Sequence, residues 1–382
     1  MRASVLFLCA ALSACAVQPT ALPRPDHLFN DAAFRAPSVP LTSDVFAVSE
    51  GMRNFLYGEI AAQLRRSGRL DGLIDALQNR AQLKLEYDSA VTRTAAEAFD
   101  VRAGNCISLV IMTAALAKEL GLIVYYQRVQ AEELWSRDGD ISFRSGHVNL
   151  VLQQLRGEKN RLGENAGELV IDFLPPEQAR GYRTRPIEER TVVAMFMNNR
   201  AAEALARGQL DNAYWWARAA IVQDSGLVEA YNTLGVVYRR HGDLRGAERV
   251  FRQLLERDPK NPTVMSNLAA VLDAAGQPQQ AQALLQKLQD IERYPPFHFL
   301  DQAQFALKSG DVRGAIDLFK RELARDPSYH ATHFGLALAY LALGEFAAAR
   351  EHLAVAKQNS MTRRDHELYA AKLDRLSFNR TR

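Results

Sequence analysis

From residue 194 to residue 363 one pattern of apolar and polar positions returns every 34 residues. Gly208, Gly242, Gly276, Gly310 and Gly344 keep that interval, and so do Ala213, Ala247, Ala281, Ala315 and Ala349, each five residues after its glycine. Apolar positions between them recur at helical spacing. Each period therefore predicts two antiparallel helices, with glycine at the turn and alanine where the helices cross closely. Residues 364–378 predict one more helix, polar on one face, that caps the stack.

The first half is patterned differently. Val45, Phe46, Phe55, Leu56, Ile60 and Leu64 predict a helix that starts near a Ser43–Asp44 cap, and Leu70 to Arg80 predicts a second. A short helix, TRTAAEAF, runs from Thr92 into the loop at Arg102-Ala103-Gly104. The run CISLVIMTAALA that begins at Cys106 is apolar nearly all round and ends before Gly121, which predicts a helix in the middle of a core. IVYYQRVQ at 123–130, HVNLVLQQL at 147–155 and ELVIDFL at 168–174 read as strands of a small antiparallel sheet. Residues 43–190 thus predict an α+β domain, placed before an all-α solenoid. Between residues 16 and 42 five prolines interrupt the chain, and this stretch reads as a spacer.

The N-terminus resembles that of a bacterial lipoprotein. Arg2 supplies a positive start and Ala3 to Leu12 an apolar run too short to span a bilayer. Leu12-Ser13-Ala14-Cys15 resembles a lipobox. The resemblance implies a signal peptide over 1–14, lipid on Cys15 and a chain tethered to a membrane without a spanning helix. Ala16, rather than aspartate, resembles sorting to the outer membrane, facing the periplasm of the cell envelope. The 47 basic and 44 acidic residues leave a net charge of +3, with no basic stripe, which argues against nucleic acid as a partner.

Candidate chemistry comes from subtraction. Cys9 and Cys15 belong to the leader and the lipid site, so Cys106 is the lone thiol of the mature chain, with no partner for a disulfide. Gly104-Asn105 places Cys106 in the first turn of its helix, where free backbone N–H groups favour a thiolate and can stabilise an oxyanion. His147 is the only histidine between His27 and His241. It opens a strand on which His147, Asn149 and Val151 share a face. Asp172, on the next predicted strand, is placed to hold the imidazole in its working tautomer. One Cys, one His and one Asp leave zinc short of a fourth ligand, so no metal and no cofactor is expected.

GNCISLVIMTAALAKELGL, GHVNLVL and ELVIDF together resemble the transglutaminase-like cysteine-protease superfamily, over about residues 85–175. The resemblance implies a transglutaminase-like/papain-like domain in which Cys106 is nucleophile, His147 base and Asp172 orienter. Ile107 stands where animal-type transglutaminases often carry an aromatic residue, which favours hydrolysis over cross-linking. Asn105 and Tyr87 are the side chains considered as oxyanion donors. The 34-residue period resembles tetratricopeptide repeats, five of them over 194–363, followed by a capping helix and tail over 364–382. Such a solenoid implies a protein or peptide partner in its groove, with Asn198, Asn232, Arg239 and Arg240 as candidate contacts. The alternative is a non-catalytic scaffold of the cell envelope whose enzyme domain is degenerate.

Overall fold

The computed structural model describes residues 25–37, 44–79, 82–83, 85–88, 91–130, 135–138, 141–144, 147–154, 168–173, 183–291, 294, 297–360 and 363–378. The expected signal peptide and Cys15 lie outside these residues. No helix among those described is long and apolar enough to cross a membrane.

Asp44 does not start a helix. Its carboxylate accepts the Phe46 amide at 3.2 Å, which folds the chain into a turn, and α1 (Glu50–Asn54) starts instead at Ser49, whose hydroxyl accepts the Met52 amide. A π-turn (Phe55–Glu59) leads into α2 (Ala61–Ser67), and α3 (Arg69–Gln78) follows. A short strand β1 (Glu86–Tyr87) precedes α4 (Ala95–Val101), which opens on a reciprocal Thr94–Glu97 capping box. α4 ends at Arg102 in the left-handed region, at φ 53°, and that turn sends β2 (Ala103–Gly104) back parallel to β1. Then comes α5 (Cys106–Glu119), buried from Ile107 through Ala117 as its all-round apolar pattern requires.

α5 packs on an antiparallel sheet ordered β7-β6-β3-β8. β3 (Ile123–Gln130) matches its expected bounds, whereas β6 (His147–Gln153) and β7 (Glu168–Ile171) stop short of theirs. A hairpin of β4 (Trp135–Asp138) and β5 (Ile141–Arg144) separates β3 from β6. The edge strand β8 (Arg183–Ile187) has no apolar alternation and contains Pro186, so its sequence carries no strand signal; pairing with β3 makes it one.

Five helix pairs follow: α6 (Glu189–Ala206) with α7 (Leu210–Gln223), α8 (Val228–His241) with α9 (Leu244–Arg257), α10 (Pro262–Ala274) with α11 (Pro278–Ile291), α12 (His298–Lys308) with α13 (Val312–Leu323), and α14 (His330–Ala342) with α15 (Phe346–Gln358). α16 (Arg363–Phe378) packs on the last pair. The five periodic glycines sit at the turns within pairs with φ between 72° and 90°, a conformation that costs other residues strain. At Gly335 the requirement is space, since a Cβ there would lie 2.4 Å from the Phe319 ring of the preceding pair.

The part of the expected spacer that is described does not behave as one. Residues 25–37 lie along α7, α8 and α9. Phe34, 4 % exposed, stacks on Tyr214 with ring centroids 4.0 Å apart, and Leu28 is fully buried. Tyr214 donates its hydroxyl to Asp31 at 2.6 Å, Tyr238 donates to the Leu28 carbonyl at 2.6 Å, and Arg218 pairs with Asp31 at 2.8 Å. Proline content signals an extended chain, but Leu28, Phe29 and Phe34 give this one something to bury. Phe34→Ala should therefore release the strap from the repeats. The expected readout is faster tryptic cleavage after the exposed Arg35, with the main unfolding transition little changed.

Candidate active site and its seating on the first repeat

Cys106 enters the site through its neighbours. Asn105 caps α5: its side-chain oxygen accepts the Ser108 amide and the Ser108 hydroxyl, each at 2.9 Å. The amide end of Asn105 donates to the Thr92 hydroxyl at 2.7 Å, and Ser108 in turn accepts the Arg93 amide at 2.8 Å. Gly104 makes this tight cap possible, because a Cβ there would stand 2.6 Å from the Ser108 Cβ. Asn105 is thereby a structural cap of α5, with its oxygen on Ser108 and one N–H on Thr92. Cys106 is left at the first position of the helix, half-buried and reduced.

Tyr87 reaches the same point from the other side. The β1–β2 pairing sets Tyr87 opposite Gly104, two residues before the cysteine. The Tyr87 hydroxyl stands beside Cys106. Burial of that hydroxyl, with Cys106 beside it, raises its pKa well above the ordinary tyrosine value. The residue as a whole is 38 % exposed, so the ring flank meets solvent while the hydroxyl end is covered.

β6 delivers the imidazole. His147, 3 % exposed, donates Nε2–H to Asp172 Oδ1 at 2.6 Å, and Cys106 lies near enough to the same ring to act on its charge. Burial alone lowers the His147 pKa; the hydrogen bonds and charges of Asp172 and Cys106 outweigh it, and the value is pushed up to about 9. Asp172 lies just past the end of β7, where the strand turns toward β6. Its second oxygen accepts from Asn149 at 3.3 Å. Asn149 was legible as sharing the His147 face, but its contact with the carboxylate was not. Cys106, His147 and Asp172 are thus brought together from one helix and two strand ends. Among the described residues no group of three or more His, Cys, Asp or Glu is placed to hold a metal ion.

The same cluster is anchored to the first helix pair. Glu203 of α6 accepts the Thr92 amide at 2.6 Å, and Arg200 donates to the Thr92 carbonyl at 3.1 Å. Thr92 therefore touches the cap of α5 with its side chain and α6 with its backbone. Burial raises the Glu203 pKa against the hydrogen bonds from Thr92 and the charges of Arg200 and Arg207, which lower it. A second link joins Arg128 of β3 to Glu229 of α8. Contacts between residues 111 positions apart have no local sequence signal.

The four expected groove residues lie on the first helices of repeats 1 and 2. Asn232 accepts from Asn267 of the next repeat at 2.8 Å. Asn198 keeps a buried side-chain oxygen without a hydrogen-bond partner, while Arg239 and Arg240 lie in the last turn of α8.

Family models described as tetratricopeptide repeat match residues 238–296 and 300–363. A stretch of 112 residues is 30 % identical to the cellulose synthase operon protein C of Pseudomonas fluorescens, covering 27 % of this chain and 9 % of that protein. The chain thus spans under a tenth of the length of this curated relative. Similar solved structures include YrrB, described as a tetratricopeptide protein with an unusual peptide-binding site, at 21 % identity over 49 % of this chain and 99 % of that one, with a TM-score of 0.26. Another is pilF of Pseudomonas aeruginosa, at 18 % identity over 51 % of this chain and 88 % of that one, with a TM-score of 0.30.

Proposed function

We infer that a chain carrying tetratricopeptide repeats, which bind protein or peptide partners, holds beside its first repeat a thiol site for peptide or isopeptide amides. The observation that carries this reading is the 2.6 Å bond from His147 to Asp172, made by a ring that also meets Cys106. A Cys106 thiolate attacks the amide carbonyl, and the His147 imidazolium gives its proton to the departing amine, leaving a thioester. Neutral His147 then takes a proton from water, whose oxygen attacks the thioester; the acid leaves and the thiolate returns with its imidazolium. Asp172 holds the ring through Nε2–H at each stage. The reading is that of a transglutaminase-like hydrolase, and the family's resemblance to Cys106, His147 and Asp172 supports it. Lipid on Cys15 would keep the site at a membrane of the cell envelope.

A second reading has one observation in its favour: both family matches fall within the repeats, at 238–363. There the protein is an adaptor and the thiol is idle. The two readings separate on the rate at which a thiol-directed acyl probe labels Cys106 at pH 7. Without the imidazole to take the thiol proton, His147→Ala should slow labelling roughly 10²-fold or more. Equal, slow labelling of wild type and variant would leave the adaptor.

A further inference from the structure

The 34-residue register places Glu203, Val237, Val271, Phe305 and Ala339 at one position of the first helix of each repeat. Val237, Val271 and Ala339 are each 0 % exposed, whereas Phe305 is 74 % exposed. In the second helices the register aligns Ala217, Phe251, Leu285, Phe319 and Leu353. All are 0 % exposed except Leu285, at 38 %. The two exceptions stand on α11 and α12, the helices that flank a single junction.

At every other junction the second helix of one repeat packs on the first helix of the next: α7 on α8, α9 on α10, α13 on α14. α11 and α12 have no comparable packing. The apolar core divides at the same place, one part ending with Leu272 and Ala281 and the other beginning at Phe297 and Leu300. α12 also starts without help from the preceding repeat. The buried Glu322 of α13 accepts the Phe299 and Leu300 amides at 3.1 and 3.3 Å, supplying the cap that Phe297, with φ 65°, does not. Repeats 4 and 5 are therefore a self-supported unit with an apolar residue left over on the face that its neighbours bury.

We propose that this junction is a closing joint, and that the face of α12 bearing Phe305 docks on α11 of the same chain. The occupant follows from continuity: the chain itself supplies, in the same register, the helix on which Val237, Val271 and Ala339 each find their counterpart. Closure buries Phe305 with Leu285, joins the two cores and extends the groove across all five repeats. The open arrangement is the other end of that motion. This places a hinge between the site-bearing end of the protein and its distal repeats.

The test uses the full chain with Phe305→Asp, Leu285→Asp and, as a control away from the joint, Phe346→Asp, which alters another exposed phenylalanine. Small-angle scattering and hydrogen exchange are read at several protein concentrations. The expected result is a larger radius of gyration and severalfold faster exchange in α11 and α12 for Phe305→Asp and Leu285→Asp, with α14 and the control unchanged. Unchanged exchange and scattering in both joint variants would overturn the proposal. So would wild-type protection that grows with protein concentration, which would assign the faces to a second copy.

Discussion

Asp172→Asn is expected to slow acyl-enzyme formation at Cys106 by roughly 10²- to 10⁴-fold at pH 7, the range that a positioned acid–base pair supplies. The variant keeps the shape of the side chain and removes its charge. His147 is buried, and burial alone would lower its pKa; the carboxylate at 2.6 Å and the neighbouring Cys106 reverse that. Without the charge the imidazolium loses its main support. The sign of the pH effect follows. A histidine whose folded value is raised from 6.5 to about 9 contributes stability fully below pH 6.5 and loses it as pH rises toward 9. The gap between those values corresponds to about 3 kcal/mol, as an upper scale for a coupled pair. Wild type should therefore unfold more easily at pH 9 than at pH 6, and Asp172→Asn should flatten that dependence. Single-turnover acylation and denaturant midpoints across this range check both parts. An unchanged acylation rate would mean that Asp172 does not serve His147.

Phe319→Ala should remove about 3–5 kcal/mol from the distal repeats. Its ring is fully buried and lies where no side chain at Gly335 would fit, so the small residue and the large one were fitted to each other across the α13–α14 junction. In a solenoid each repeat is held mainly by its neighbours, so the loss stays local. The core around Phe319 holds nine buried residues, from Phe297 to Ala339, and cannot absorb a cavity of that size. Thermal unfolding should split, with an early transition assigned to residues 297–360 by hydrogen exchange, while probe labelling of Cys106 keeps its wild-type rate. A single cooperative transition shifted as a whole would show that the repeats unfold with the site.

What was legible differed by element, for physical reasons. The helix pairs could be read because their turn glycines and crossing alanines are forced by geometry at a fixed interval. α5 and β3 could be read because burial on all sides leaves an unbroken apolar run. β8 could not, since an edge strand with Pro186 and two arginines has no alternation to detect. The Ser43–Asp44 cap failed because aspartate is as good a turn former as a helix starter, and only the competing Ser49 decided which it became. At the site, residue types and order pointed to Cys106, His147 and Asp172. Proximity in sequence does not separate Tyr87 from Asn105; the β1–β2 register brings Tyr87 beside the cysteine, while Asn105 caps the helix through Thr92 and Ser108. In the strap the prolines signal an extended chain, and the three apolar residues Leu28, Phe29 and Phe34 between them give that chain something to bury.

The strap formed by residues 25–37 has a mechanical consequence. The chain passes between its two halves twice, once from the strap into α1 and once from β8 into α6, so the halves are joined at two points rather than one. A single crossing leaves a swivel; two crossings, braced by the Glu203–Thr92 and Arg128–Glu229 contacts, suppress torsion between sheet and solenoid. Tension applied at residue 25 is borne first by the solenoid, through Tyr214, Tyr238 and Arg218, before it reaches α1.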